Sequence, residues 1–558
     1  MDKSKSESKS YLSFNEALTI QLETGEPMKS RLSKFDKSKA NFPPPHRCLT
    51  PNGYYVSKSD LDNTTTKKIK KELLVQPQIA PAFSSGMPKK YKIYSETDYG
   101  FYLPRHYAYK LFDKPKYSNI KLGDSIEIKL KDGVKPLKFQ EKSLTVLADT
   151  FSSNSTGTGG ILSLPCGWGK TFCAIWTITR VKRKALILVG KEFLAEQWEQ
   201  AIANFTTSSK VGRVQGQRFD SDCDILIGMI QTVSMGKYKR SDFKDIGFLI
   251  VDECHHMSSE IFCRALNVVQ PNFTLGLSAT PKRKDGLSFV FHNFLGPLLH
   301  REERTTENRV KIIQTEIYSC SKYYETKYNG RGNVNSVEIA SHLTNCSKRN
   351  ELIIRILKIL FKEKRKILLL SNRREHLHTL YSLLELENIE FKSENRPITF
   401  GLYYGAQGVS KKKHQLMLDE STKADLILGT DSIAKEGLDI PELNTLFLST
   451  PAGLDVEQSV GRILRRVHQI EPLVIDLVDK AGNFKKHGAT RAKWYRKQDY
   501  VVVKYKLDLE EYDVGDDPIF KFGTAFEKLI KSKSKSNSKS ELESESSEKL
   551  EPLFDTSD

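Results

Sequence analysis

The stretch ILSLPCGWGKTFCAIWTIT (161–179) runs from an apolar strand through a glycine-bearing turn into an apolar helix. Backbone N–H groups in such a turn, with a helix N-terminus behind them, form a cradle for phosphate oxygens. Lys170 would reach the β- and γ-phosphates of a nucleotide, and the Thr171 hydroxyl would bind Mg²⁺. Pro165, Cys166, Gly167, Trp168 and Gly169 complete the loop. Leu164 stands where the G-x-x-x-x-G-K-[ST] pattern has its first glycine, so the pattern is met only in its second half. Taken alone, the stretch favours a phosphate site, the alternative being a chance glycine-rich turn with a surface lysine.

Further apolar runs repeat this strand-to-helix alternation. The first block offers ALILVG (185–190), DILIGM (224–229), FLIVDE (248–253) and TLGLSAT (274–280). A second block offers KILLLS (366–371), ITFGLYYG (398–405), ADLILGT (424–430), NTLFLST (444–450) and LVIDLV (473–478). Short β-rich runs with helices between them are the pattern of parallel sheets in α/β domains. The expectation is therefore two similar parallel-sheet domains in tandem, over 131–300 and 346–505. The polar segment 301–345 reads as a linker or insertion. An aromatic and basic block at 81–130 reads as an N-terminal accessory domain, and 506–530 as a C-terminal extension. Residues 1–80 read as a mostly disordered arm and 531–558 as a low-complexity disordered tail.

FLIVDECHH (248–256) ends an apolar strand in two adjacent acids, a costly arrangement unless something uses them. Asp252 would hold Mg²⁺ through water, and Glu253 would polarise an attacking water. The alternative is a metal bound directly by Asp252, Cys254, His255 and His256. The hydroxyls of Ser278 and Thr280 close the next apolar strand, placed to relay the state of a γ-phosphate. In the second block GTDSIAKEGLDIP (429–441) sets Gly437 and Asp439 in a turn. QSVGRILRR (458–466) then begins a helix at Gln458, with Arg462 and Arg465 three apart on one face. Guanidinium groups in this place would stabilise the charge of a transferring phosphoryl group; in isolation they would be a solvated basic face.

With all of these in order, the chain resembles the superfamily 2 helicases across about 130–500. L-P-C-G-x-G-K and L-S-A-T-P-x-R-x-D-G-L are similar to the XPB and restriction-enzyme-subunit branch, which includes helicases of large DNA viruses. HLTNCSKRNELI (342–353) and WYRKQDY (494–500) resemble the poxviral transcript-release DNA helicase type. The resemblance implies two RecA-like domains, an ATPase using Mg²⁺, and an upstream Gln140 that reads adenine. It also implies nucleic-acid contacts from Gly190, Lys191, Gln231, Thr232, Ser371, Arg373, Thr430 and Asp431. Motif II reads Asp-Glu-Cys-His, which departs from the DEAD-box RNA helicases that separate short duplexes locally; the partner the resemblance implies is DNA in preference to RNA. Transcription termination, transcript release or DNA repair is the implied setting, with transcription machinery among the partners. An RNA helicase, a restriction-complex motor and a catalytically silent scaffold are the alternatives.

The 558 residues carry 87 Lys and Arg against 69 acids, a net charge of +18 that suits a polyanionic partner. Eight scattered cysteines without a C-x-x-C pair support neither a zinc ribbon nor a disulfide framework. No run of about 18 apolar residues predicts a membrane span. MDKSKSESKS lacks the apolar core of a secretory signal. The expectation is an intracellular protein, of a viral factory, a virion or the nucleus.

Overall fold

The computed structural model describes residues 47–77, 89–152, 157–165, 167–207, 210–255, 260–279, 286–302, 310–330, 332–387, 390–391, 396–405, 411–431, 440–451, 456–466 and 468–511. Contacts divide the chain into two units. The first comprises Met1–Glu307, Ser432–Pro441 and Glu457–Val467, and the second holds the remainder.

An eight-stranded sheet forms the centre of the first unit. Its order is Arg218–Phe219, Val211–Gln215, Ile225–Met229, Ala185–Val189, Phe248–Val251, Phe273–Ser278, Thr158–Ser163 and Leu298–Arg301. All neighbours are parallel except the hairpin at 211–219. Period-2 alternation feeds two cores, one on each face. Leu186, Leu188, Leu249 and Val251 enter one core, while Ala185, Ile187, Val189, Phe248 and Ile250 enter the other. Burial on both faces accounts for the continuous apolar runs. Parallel pairing also brings the C-terminal ends of these strands to one edge, where loops rather than ladder bonds continue the chain.

In the second unit seven strands, all parallel, follow the order Phe400–Tyr403, Leu426–Thr430, Ile367–Ser371, Thr445–Leu448, Leu473–Asp479, Lys311–Tyr318 and Val501–Asp508. The α/β class with two parallel sheets is therefore the observed one.

Three sequence boundaries are drawn differently by the structure. The arm 1–80 is not featureless over its last third, because Arg47–Thr50 and Gly53–Ser57 pair and Asn63–Glu72 is helical. These strands are short, and the helix buries only Ile69, so no long apolar period announces them. They join Ser95–Glu96, Gly100–Leu103 and Tyr117–Ser118 in a five-stranded sheet, so the accessory fold spans 47–118 rather than 81–130. Residues 125–130 instead bridge to Arg183 and Thr206, and Ile126 and Ile128 enter the first unit's core.

The second difference is the linker 301–345, which contains the strand Lys311–Tyr318 and the helix Ser336–Thr344. Its polar appearance comes from residues such as Gln314, which is buried and donates to Asp476 and to the Gly488 carbonyl. The third is the strand Val501–Asp508, which crosses the boundary set at 505. The tails at 1–46 and 512–558 lie outside the described residues.

The accessory fold is tied to the first sheet at the edge opposite the phosphate loop. Arg105 is buried and donates to the Asn272 carbonyl (3.1 Å) and the Pro271 carbonyl (2.6 Å), just before the strand Phe273–Ser278. Tyr109 donates to the Gly157 carbonyl at 3.0 Å, just before Thr158–Ser163.

Candidate nucleotide site

The loop after Thr158–Ser163 owes its shape to its neighbours. Leu164, at the position where the sequence pattern expects glycine, is a core residue. Its N–H donates to the Ser278 carbonyl at 3.2 Å, and its carbonyl accepts from Lys170 Nζ at 3.3 Å. Leucine thus anchors the strand end, and the loop proper begins after it.

Gly167 and Gly169 have φ of 84° and 77°. Gly169 also lies against Gln140, where an added Cβ would come within 2.3 Å of Nε2. A side chain there would meet both backbone strain and a collision. The helix Lys170–Val181 starts at once and is apolar because Phe172, Cys173, Ala174, Ile175 and Ile178 are buried. Gln140 is buried, donates to the Trp168 carbonyl at 3.2 Å and accepts from the Leu137 N–H at 2.9 Å. In this structure it braces the loop.

Beyond the strand Phe248–Val251 stand the two acids. Asp252 accepts from Trp198 Nε1 at 2.9 Å and from the Glu253 N–H at 2.9 Å. Burial, and then the charge of Glu253, push its carboxyl up to about 6. Glu253 has φ 44°, an uncommon conformation for a side-chain-bearing residue and one often kept at functional sites. Its Oε1 is 3.9 Å from Lys170 Nζ. Its Oε2 is buried without a hydrogen bond and lies 3.3 Å from His255 Nδ1. His255 Nδ1 is also 3.0 Å from Ser278 Oγ. A chain of contacts therefore runs Lys170, Glu253, His255, Ser278.

A cavity of about 670 Å³ collects these groups within the first unit. Pro165, Gly167, Gly169, Lys170, Thr171, Trp198, Asp252, Glu253, Pro441, Arg462 and Arg465 are among its lining residues. Arg462 is buried and ends the helix Glu457–Arg462. The shared-helix expectation needs correction: Arg465 lies past the helix end, yet it lines the same cavity. Gln458 is half-buried on that helix and is not among the lining residues. Cys166, Thr280, Gly437 and Asp439 lie outside the described residues.

Direct metal binding by Asp252, Cys254, His255 and His256 receives no support. No group of three or more His, Cys, Asp or Glu among the described residues is arranged to hold a metal. Cys254 is fully buried, and burial pushes its thiol well above the usual range. His256 is outside the described residues. The remaining donors, the Asp252 carboxylate and the Thr171 hydroxyl, are hard oxygens opening on one cavity and fit Mg²⁺.

Trp198 is the residue that sequence reasoning passed over. Its place on the helix Glu192–Phe205 reads as ordinary core, and only the indole-to-carboxylate bond reveals that it orients Asp252.

The expected nucleic-acid contacts fall at strand ends in both sheets. Gly190 and Lys191 follow Ala185–Val189, and Gln231 donates to the Gly190 carbonyl at 2.8 Å. Thr232 accepts from the Gly216 N–H at 3.1 Å. Thr430 ends the strand Leu426–Thr430, and Asp431 follows it; both are half-buried. Ser371 needs correction as a contact residue. It is fully buried, with its hydroxyl turned to the Arg373 carbonyl and His376. The Arg373 guanidinium is held by Ser341 Oγ (3.0 Å) and the Val337 carbonyl (2.8 Å), although its edge is exposed. No helix among the described residues is long and apolar enough to cross a membrane.

A family model described as type III restriction enzyme, res subunit, matches residues 133–283. A putative ATP-dependent RNA helicase of Acanthamoeba polyphaga mimivirus is 31% identical over 484 residues, covering 84% of this chain and 89% of the relative. A putative helicase of Invertebrate iridescent virus 6 is 27% identical over 363 residues, 62% of this chain and 78% of the relative. The XPB2 helicase/translocase subunit of general transcription and DNA repair factor IIH from Arabidopsis thaliana is 23% identical over 402 residues, 66% of this chain and 49% of the relative.

Proposed function

We propose the following division of labour for this chain, which belongs to the superfamily 2 helicases and is an ATP-dependent enzyme. ATP would sit with its phosphates on the loop 165–171 and its reacting end between Glu253 and the two arginines. The observation that carries this reading is the single cavity on which Lys170, Thr171, Asp252, Glu253, Arg462 and Arg465 all open.

Lys170 would leave Glu253 for the β- and γ-phosphates, which offer a stronger charge partner than a carboxylate 3.9 Å away. That exchange frees Glu253 to accept a proton from the attacking water. Asp252 and Thr171 would hold Mg²⁺, which neutralises charge across the β- and γ-phosphates. Trp198 keeps Asp252 in place for this task. Arg462 and Arg465 would stabilise charge on the γ-phosphoryl group as it transfers. Through His255 and Ser278, a change at Glu253 would be felt at the end of the neighbouring strand.

Nucleic acid would be held chiefly at its phosphates by Gly190, Lys191, Gln231, Thr232, Arg373 and Thr430, with Asp431 beside them at the strand end, so little sequence preference is expected. DNA is the favoured track, in keeping with the printed name of the XPB2 relative, a helicase/translocase subunit of a general transcription and DNA repair factor. Transcript release or repair, alongside transcription machinery, is the corresponding process. The second reading is RNA, the substrate in the printed name of the mimiviral relative. ATPase assays with double-stranded DNA, single-stranded DNA and RNA separate the two, paired with strand displacement on 5′- and 3′-tailed duplexes. Stimulation by RNA alone would reverse the assignment, and hydrolysis unaffected by Lys170→Ala would remove the site.

A further inference from the structure

The helix Phe484–Lys497 has one buried and one cationic face. Phe484, Gly488, Arg491, Ala492 and Tyr495 are buried, and Gly488 packs closely on Val478. The exposed side carries Lys485, Lys486, Lys493, Arg496 and Lys497, with Ala489 and Thr490 between them and no acid. The adjoining edge strand extends the patch. Gln314 faces the helix, since it donates to the Gly488 carbonyl, and Gln314 is in register with Lys504. Lys504 and Lys506 therefore lie on the helix side of the sheet, and both are exposed. The nearest acids in the chain order and register are Asp499, Asp508 and Glu316, and Glu316 faces Lys480 at 3.4 Å.

Several exposed cations elsewhere are paired, unlike those of this face. Lys58 and Lys70 both meet Glu96, Lys358 meets Glu387, and Lys348 meets Glu510. Among the described residues, the five helix cations form no ion pair with an acid. Their placement does not serve the helix either. Arg496 and Lys497 suit the negative end of the helix, but Lys485 and Lys486 occupy the first turn, where the helix dipole disfavours cations. Lys493 and Lys497 are a like-charge pair at i,i+4, which is also unfavourable. An external polyanion would offset such an arrangement. From Lys485 to Lys497 the helix rises roughly 18 Å, a span along which duplex DNA presents about ten phosphates.

We propose that this face, with Lys504 and Lys506, is a second binding site for a sugar–phosphate backbone, separate from the strand-end contacts. It rests on the reading of the chain as a nucleic-acid motor. The site would retain the track without touching hydrolysis, by ion pairing and counterion release rather than base recognition.

The test compares K485Q/K486Q/K493Q with K67Q/K68Q/K71Q in the full chain, the latter removing equal charge from the exposed side of Asn63–Glu72. Duplex DNA, duplex RNA and single strands are titrated across a salt series, with basal ATPase and thermal unfolding as checks on folding. The expected result is an affinity for duplex about tenfold lower for the first triple at ~100 mM salt, with the salt slope reduced by about 2–3. The second triple and the stimulated kcat at saturating nucleic acid should change little. The DNA and RNA arms tell which backbone is preferred. Equal losses in both triples, no loss in either, or tighter binding by the first would overturn the site. If the unaltered protein neither binds nucleic acid nor responds to it with faster hydrolysis, the motor reading falls first and the site with it.

Discussion

Each sheet carries two acids in or just past an apolar strand, and the two pairs are treated oppositely. In the second unit Asp476 and Asp479 belong to Leu473–Asp479 and are fully buried. Asp479 is held by Arg349 at 2.7 and 2.9 Å and by Tyr324 at 2.8 Å. Asp476 accepts from Arg491 at 2.7 and 3.0 Å, from Tyr495 at 3.2 Å and from Gln314 at 2.9 Å. In the first unit Asp252 is held by neutral donors, and Glu253 keeps a buried oxygen without a hydrogen bond. A carboxylate closed by a bidentate arginine has its charge cancelled inside the fold. One oriented by an indole and a backbone N–H keeps its charge for an incoming ligand. The difference separates acids that hold a sheet together from acids that face chemistry.

The sharpest break of this comparison is at Lys170 and Glu253. Lys170→Ala or Glu253→Gln should lower ATPase kcat by about 10²–10⁴-fold while thermal unfolding stays near that of the unaltered chain. Normal turnover in Glu253→Gln would place Glu253 with the structural acids, and normal turnover in Lys170→Ala would remove the site. Arg462→Ala should follow, with turnover down on the order of 10³-fold and nucleotide affinity changed far less, as read by single-turnover kinetics and a binding titration. Equal losses in both would make Arg462 a ground-state contact only.

On the structural side, Arg349→Ala should cost about 3–5 kcal/mol in denaturant unfolding, because it leaves Asp479 charged and buried. Replacing the pair by Arg349→Met with Asp479→Leu should recover much of that loss. If it does not, the pair does more than cancel charge.

A pH effect comes next. His376 is buried between Ser371 and Asn350, and burial, then Arg349, hold its pKa down at about 3. The unfolded chain then binds a proton that the folded one refuses. Stability should fall by up to about 1.4 kcal/mol per pH unit as pH drops below about 6.5. His376→Gln should flatten that slope in unfolding experiments at pH 4 to 7, and an unchanged slope would point to other groups. The smallest effect is at Trp198, where Phe keeps an aromatic ring, smaller than the indole, but not the N–H. Trp198→Phe should reduce turnover roughly tenfold, corresponding to about 1.4 kcal/mol, with more Mg²⁺ needed for half-maximal rate. No shift in the Mg²⁺ requirement would remove its positioning role.

Much of this organisation is legible in the chain order alone. The apolar runs at 161–165, 185–190, 248–253 and 274–280 became adjacent parallel strands because strands buried on both faces have no polar period to hide them. Lys311–Tyr318 was not legible, since its Gln314 and Glu316 look like surface residues until Asp476 and Lys480 are brought beside them. The same holds for 47–57, where two short strands pair with each other but find their outer partners, Gly100–Leu103 and Tyr117–Ser118, 40 or more residues away.

The amino-acid sequence by itself determined that a phosphate loop, an acidic pair and an arginine segment follow one another in a fixed order, because each is a local pattern with its own chemistry. Only the tertiary structure decided which groups stand free to act. It made Leu164 an anchor, drew Gln140 against Gly169, aimed Trp198 at Asp252 and buried Ser371. Those outcomes depend on which side chains meet across strands far apart in sequence, and no local pattern encodes such meetings.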